Sequence, residues 1–231
     1  MALSIEPEIS GCSVVMLGDF NPAIVHPSWL HASGAESDIS DAITDIRIVT
    51  REISSFRIDT RTYTVMPDRF TLETSTAPWV AVADIIRQIF EEILVHTPIR
   101  GFGINRTVHF NVSSIEARTK IGRELAPIEP WGEFGSGMEP DDPSQIGGLL
   151  SLTMRRQKCL EAFSLNTNAK IEPSIRLSGN TGIFMEVNHH HTLSDCDQGN
   201  GARPAVEILA DSFDLRVSEA DSIINAIMER F

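Results

Sequence analysis

The sequence lacks the long apolar runs of a membrane protein. No apolar stretch among its 231 residues approaches the ~20 residues that a membrane-spanning helix requires. The opening residues, Met1 to Glu6, have neither the basic start nor the apolar segment of a signal peptide. We therefore expect a cytoplasmic protein that makes no contact with a membrane.

Cysteine is also scarce, which excludes a fold built on disulfide bonds. The chain has three cysteines, Cys12, Cys159 and Cys196, an odd number without the close spacing of a zinc motif. In a reducing compartment such residues are usually free thiols. We expect all three to be unpaired.

Motifs of catalysis and of cofactor binding are missing as well. The sequence contains no Gly-x-Ser-x-Gly elbow, no Gly-x-Gly-x-x-Gly and no P-loop pattern. His26, His31, His96 and His109 are scattered, without an evident serine or cysteine partner. These absences favour a protein that is not an enzyme and that holds no organic cofactor.

Positive charge is in short supply. The formal net charge is −13, and the 19 basic residues comprise sixteen arginines and three lysines. Acidic residues collect in 36–45, 133–142 and 195–221. An acidic surface repels the phosphate backbone, so we expect no direct binding of nucleic acid.

What the sequence does contain is a clear helix followed by a clear strand. Thr76-Ala77-Pro78 is typical of a helix start, and Pro98 follows its end. Apolar residues recur between them at steps of three and four: Trp79, Val82, Ala83, Ile86, Ile89, Phe90 and Ile93. The run 98–112 then predicts a long strand.

The remaining patterns place strands and helices in the same order in both halves. In the first half, a strand over Cys12–Phe20 and a short helix near Trp29 precede three strands within 46–74. In the second half, a helix reaching Leu125 is followed by a loop over 126–144, further strands and a helix over 204–229. Each half therefore has the order β-α-β-β-β-α.

We predict an α+β fold made of two pseudo-repeated lobes, residues 1–96 and 97–231, within one compact unit. Each lobe would pack an antiparallel sheet on a long helix. The two lobes could also share one continuous sheet, and the sequence leaves both arrangements open.

Four short segments carry a resemblance to a known group of proteins. They are Gly18–Pro22, Val65–Phe70, Thr97–Arg106 and Glu129–Gly132. In these segments the chain resembles a sporadically distributed bacterial protein family with no assigned activity. The resemblance implies a compact bacterial protein, brings no catalytic residues, and suggests a system associated with defence or mobile elements.

One cluster of residues favours a metal. His189 and His191 would point to the same face of a strand, and Asp195 follows in an acidic loop. Two imidazoles with a carboxylate or a thiolate would suit zinc. The alternative is a solvated strand end, where polar residues are expected in any case.

A second group of residues favours a ligand or a partner. Asp19 and Asn21 follow the first strand and could bind a cation or a partner's backbone, or they could form an Asx turn. Arg106 lies on the long strand and could serve as an interaction residue, or pair internally with Asp19 or Asp68.

We therefore expect a non-enzymatic interaction or assembly subunit of a bacterial multi-protein system, with a protein partner or with self-association into an oligomer. Two alternatives remain open. The first is a metal-dependent hydrolase centred on His189, His191 and Asp195, which would need zinc. The second is a small-ligand binding module at the interface of the two lobes.

Overall fold

The computed structural model describes residues 3–36, 44–138, 147–194 and 200–230 of the chain. The strands are β1 (Ile9–Gly18), β2 (Thr44–Val49), β3 (Ser54–Ile58), β4 (Arg61–Met66), β5 (Arg69–Thr74), β6 (Ile99–Asn111), β7 (Leu152–Cys159), β8 (Phe163–Pro173) and β9 (Gly182–Leu193). The helices are α1 (Pro27–Ala32), α2 (Val80–Arg87), α3 (Ile115–Leu125), α4 (Gly132–Ser136) and α5 (Arg203–Met228), with a π-helix over Gln88–Ile93 and a 3₁₀ turn over Glu129–Trp131.

All nine strands in the described parts of the chain belong to one antiparallel sheet in the order β2-β3-β4-β5-β1-β6-β9-β8-β7. The α+β prediction is confirmed. Of the two arrangements that the sequence left open, the structure has the continuous sheet, because β1 and β6 pair antiparallel from Ile9 opposite His109 to Gly18 opposite Ile99. The description of two repeated lobes stays a prediction.

Between α1 and α2 the described residues form four strands, where three were predicted. The stretch from Ile46 to Ile58 was interpreted as continuous strand material, but a turn at Thr50 divides it. The Thr50 hydroxyl accepts hydrogen bonds from the backbone N–H groups of Glu52 and Ile53. A turn closed by a threonine hydroxyl contains no glycine or proline, so the sequence pattern did not predict it.

The segment 126–144, predicted as a loop, contains α4 and the 3₁₀ turn. Its glycines are typical of a loop, but Gly135 lies within α4, where it allows close packing against Ile128. A Cβ atom at Gly135 would lie 2.1 Å from the Ile128 carbonyl oxygen, so a larger residue would not fit. Residues 139–146 of this segment lie outside the described residues.

The hydrophobic core lies on one face of the sheet, beneath α2 and α5. Apolar residues of β1 and β6 alternate with polar ones, so that Val14, Met16, Phe102 and Ile104 are buried on this face. Helix α5 runs unbroken for 26 residues across both parts of the core. No helix in the described part of the chain is long and apolar enough to cross a membrane.

The opposite face of the sheet is polar. Its central residues carry amide and hydroxyl side chains on neighbouring strands, and hydrogen bonds join Ser13, Asn105 and Asn188 across β1, β6 and β9. An antiparallel sheet with one face on the core and one face in water has this alternation.

Candidate interaction site

Three segments that are distant in the sequence meet where β1 ends. The Gly18 N–H donates to the Asp68 carbonyl oxygen (3.2 Å), the Asp19 N–H to that of Pro98 (3.0 Å), and the Phe20 N–H to that of Pro67 (2.7 Å). The end of β1, the β4–β5 turn and the lead into β6 are therefore joined by backbone hydrogen bonds. These are three of the four segments that carry the family resemblance.

Gly18 allows this close approach. The pairing of β1 with β6 changes register between Leu17 and Gly18. A Cβ atom at Gly18 would lie 2.3 Å from the Pro98 carbonyl oxygen, far inside van der Waals contact. Any larger residue at this position would push the β1 end away from β6.

Asp19 and Asn21, both predicted as interaction residues, lie at this junction. The Arg100 guanidinium donates to Asp19 Oδ1 (2.8 Å) and to the Gly18 carbonyl oxygen (3.0 Å). The side chains of Arg100 and Asp19 are 46% and 66% exposed, so the pair orients the loop more than it stabilises the fold. Asn21 Oδ1 accepts from the Ala23 N–H (3.1 Å), which is the geometry of the Asx turn.

Beside this junction is a cavity of about 370 Å³, which we call the end pocket. Its wall is mainly apolar, and Asp19, Asn21, His96 and Thr97 provide its polar side chains. The wall comprises Asp19, Phe20, Asn21, Ile24, Val25, Phe70, Phe90, Ile93, Leu94, Val95, His96, Thr97 and Pro98.

Three aromatic rings contact one another in the wall of the end pocket. Phe90 is edge-on to both Phe20 (5.7 Å between ring centroids) and Phe70 (5.1 Å). Edge-to-face contacts of this kind hold each ring in a defined position. Phe20 and Phe70 belong to segments that carry the resemblance, but nothing in the sequence places the two rings together.

The π-helix forms one side of the end pocket. It continues α2 from Gln88 to Ile93, and the Leu94 N–H donates to the Ile89 carbonyl oxygen five residues earlier (2.7 Å). The apolar stripe predicted an ordinary helix here. The wider turn brings Phe90 and Ile93 into the wall of the end pocket. Such π-helical turns are rare and frequently occur at functional sites.

Arg106 is not part of this junction. Its side chain is 4% exposed, and its Nε donates to Asp221 Oδ1 on α5 (3.0 Å), not to Asp19 or Asp68. The guanidinium also lies over the Trp79 ring, 4.7 Å from the ring centroid. Burial raises the pKa of the Asp221 carboxyl above its usual range, and the Arg106 charge opposes that shift.

His189 and His191 point to the same face, as predicted, but that face is the core. Both side chains are fully buried, so the interpretation of a solvated strand end is wrong. The ring of His191 stacks on Phe102 (4.4 Å between centroids), and His189 Nδ1 is 3.1 Å from Thr167 Oγ1. Burial lowers the pKa of each histidine to about 4, so both are neutral at pH 7.

The zinc hypothesis stays a prediction. Asp195, its third proposed ligand, lies outside the described residues. Among the residues that are described, no three histidine, cysteine, aspartate or glutamate side chains are grouped so that they could hold a metal ion. The charged neighbours of His189 are Glu219 together with Arg156 and Arg216.

A second cavity, of about 330 Å³, lies between the start of α2 and the middle of α5. We call it the interlobe cavity, because residues from both predicted lobes line it. Trp79, Phe213 and Val217 provide apolar walls, and Asp214 and Ser218 provide polar ones. A further cavity of about 330 Å³ under α3 is bordered by Met138 and Gly147, which flank residues outside the described part of the chain.

No protein-family model matches this chain, and no curated protein sequence matches it. The candidate function therefore depends on the chemistry of the site itself. In the wall of the end pocket the ionisable side chains are those of Asp19 and His96, and the remaining side chains include no cysteine, serine or lysine. The mainly apolar wall suits binding of an apolar group.

Proposed function

We propose that this chain is a non-enzymatic interaction subunit of a bacterial multi-protein assembly. It binds its partner by taking an apolar side chain of the partner protein into the end pocket. The observation that carries the proposal is the aromatic wall of Phe20, Phe70 and Phe90 at the junction of three segments. The association of this assembly with defence or mobile elements stays a prediction from the resemblance.

The size and lining of the end pocket favour a protein side chain as its occupant. A volume of about 370 Å³ is at the small end of the range for ligand sites, which suits one or two apolar side chains. Protein interfaces commonly use such pockets for a buried aromatic or aliphatic anchor, surrounded by polar contacts that exclude water. Asn21 and His96, both exposed, are placed to provide such contacts.

The proposal includes the two pseudo-repeated lobes, residues 1–96 and 97–231. The order of elements supports them, since each half runs from a central strand through a helix and several strands to a helix. The strands of the first half extend the sheet from β1 to β2, and those of the second half extend it from β6 to β7. An extended sheet of this kind offers separate contact surfaces for several partners.

Filling the end pocket tests the proposal. Ile93 is partly buried in its wall, and Ile93→Trp would occupy the space that the anchor needs. Ile175, which is almost fully exposed and outside the end pocket, provides the matched control Ile175→Trp. The readout is a native mass spectrum of the tagged protein, purified gently from its own host.

We expect a partner protein to co-purify at a fixed stoichiometry with the wild type and with Ile175→Trp, and to be absent from Ile93→Trp. Thermal unfolding of each variant establishes that it is folded. A partner that Ile93→Trp retains in full would exclude the end pocket as the binding site. Wild-type protein that carries no partner would contradict the interaction function itself.

The interlobe cavity favours a second candidate, a small-ligand binding module. Its apolar walls and its polar side chains resemble those of ligand sites, although Arg106 already stacks on Trp79 beside it. The same native mass spectrum would then show a small added mass instead of a protein. Val217→Trp, which fills this cavity, would remove that mass.

A further inference from the structure

One edge of the sheet is long, regular and exposed. Strand β7 pairs with β8 over all eight of its residues without a change in register. Every β7 residue after Leu152 is exposed, and no further strand among the described residues pairs with it. The backbone N–H and C=O groups on the outer side of such a strand can pair with an added strand.

The opposite edge differs. The pairing of β2 with β3 changes register between Ile46 and Ile48. Irregularities of this kind twist an edge strand and hinder the addition of another strand. Strand β7 is therefore the edge that suits strand addition.

Strand β7 is also basic, although the protein as a whole is acidic. It carries Arg155, Arg156 and Lys158 and no acidic residue, in a chain whose net charge is −13. Alternate residues of a strand face opposite sides, so Arg155 lies on the polar face and the other two cations lie on the helix face. Arg155 Nε donates to Asn168 Oδ1 (2.8 Å), and Arg156 pairs with Glu219 of α5.

This charge pattern decides what can pair with β7. Two β7 strands side by side would bring three cations of each close together, which destabilises a strand pair. A second copy of this chain is therefore a poor occupant. An extended segment with acidic side chains on both faces would instead place a carboxylate near each cation, and arginine binds carboxylates with particular strength.

We propose that β7 is the docking edge for an extended acidic segment of another protein, which adds to the sheet as a tenth strand. Exposed Met154 precedes the cations along β7 and offers an apolar contact to that segment. The inference shares the proposed interaction function but does not depend on the end pocket, which β7 does not line.

The test is a fluorescence anisotropy titration of the full chain with a labelled ten-residue peptide in which pairs of glutamates alternate with pairs of valines, so that both faces of the added strand carry carboxylates. A peptide with lysine in place of glutamate controls for charge, and a glutamate peptide with N-methylated alternate amides controls for backbone pairing. The altered protein is Arg155→Glu with Lys158→Glu, which leaves the contact between Arg156 and Glu219 intact. Arg118→Glu with Lys120→Glu on α3 makes the same change in net charge elsewhere.

We expect the glutamate peptide to bind the wild type, the α3 variant and Ile93→Trp with equal affinity. Binding to the β7 variant should be at least about tenfold weaker, and the other two peptides should not bind. Absence of binding at about 1 mM glutamate peptide, or equal binding to the β7 variant, would overturn the inference. The inference would also be overturned if sedimentation showed that the wild type is a dimer and that the β7 variant is a monomer, since β7 would then pair with a second copy. Ile93→Trp alters the end pocket and leaves the β7 edge unchanged. Failure of the end-pocket proposal and failure of the β7 proposal can therefore be told apart.

Discussion

Replacing His191 with phenylalanine should remove about half of the acid sensitivity that the two core histidines give this fold. The His191 ring lies against Phe102 and is 5.1 Å from the Phe163 centroid, so a phenylalanine ring fits the same contacts. Its Nδ1 donates to the His189 carbonyl oxygen (3.2 Å), because a carbonyl can only accept. Its Nε2 is buried and has no hydrogen-bond partner among the described residues.

The magnitude follows from the pKa shift. Burial lowers the pKa of His191 from 6.5 to about 4, and a pKa unit corresponds to ~1.4 kcal/mol. Since the folded pKa is the lower one, the unfolded chain binds more protons between these values, and stability falls as the pH falls from 6.5 to 4. Each histidine should therefore cost about 2 kcal/mol of unfolding free energy at pH 5 and about 3 kcal/mol at pH 4.

The measurement is urea unfolding of the wild type and of His191→Phe at several pH values between 7 and 4.5. At pH 7 the two proteins should agree within about 1 kcal/mol, because the lost hydrogen bond is offset by removal of the unpaired Nε2. At pH 5 the variant should be more stable than the wild type by about 2 kcal/mol. The carboxylates titrate in both proteins, so the difference isolates the imidazole.

A second variant, His189→Asn, keeps a polar atom near Thr167 and removes the other imidazole. Between pH 7 and pH 5, the unfolding free energy of this variant should also fall by about 2 kcal/mol less than that of the wild type. If the wild type and His191→Phe have the same dependence on pH, then His191 is not held neutral by burial, and the description of the core at this point is incorrect.

Three further predictions concern other buried groups. Asp221→Asn leaves the Arg106 charge buried without a counter-ion and should lower the unfolding free energy by about 3–5 kcal/mol, measured in urea; a loss under about 1 kcal/mol would contradict the pairing. Burial raises the pKa of the Cys12 thiol to about 12, so in the native protein a thiol reagent should label exposed Cys159 and leave Cys12 unmodified, as peptide mapping would establish. Burial and its hydrogen bond to Glu36 raise the pKa of Tyr63, the one tyrosine of the chain, so phenolate absorbance at about pH 11 should be absent until the protein unfolds.

Helices and strands whose apolar residues recur with a regular period were predictable from the sequence. The strand predicted over 98–112 is β6, and the helix predicted over 204–229 is α5. Both have apolar residues at a regular spacing over many turns or pleats, which local sequence alone reveals. The four strands between α1 and α2 were miscounted because a hydroxyl closes one turn.

The candidate site was predictable only in pieces. Asp19 and Asn21 were singled out, but the end pocket also requires Phe70 and Phe90, about 50 and 70 residues further along the chain. These residues come together because β1 lies between β5 and β6 in the sheet. Local sequence patterns do not reveal the order of strands in a sheet. For the same reason the sequence did not identify Asp221, 115 residues away, as the partner of Arg106.

The polar face of the sheet connects the centre of the molecule to the proposed docking edge. Four of its hydrogen bonds form a row that runs in one direction: Arg155 donates to Asn168, Asn168 to Asn188, Asn188 to Asn105, and Asn105 to Ser13. Each amide that donates also accepts, so every strand from β7 to β1 is linked to its neighbour by side chains as well as by backbone. A guanidinium held at the end of such a row has lost much of its side-chain freedom before any partner arrives. Less conformational entropy then remains to be lost on binding, and this preorganisation favours docking of a carboxylate at β7.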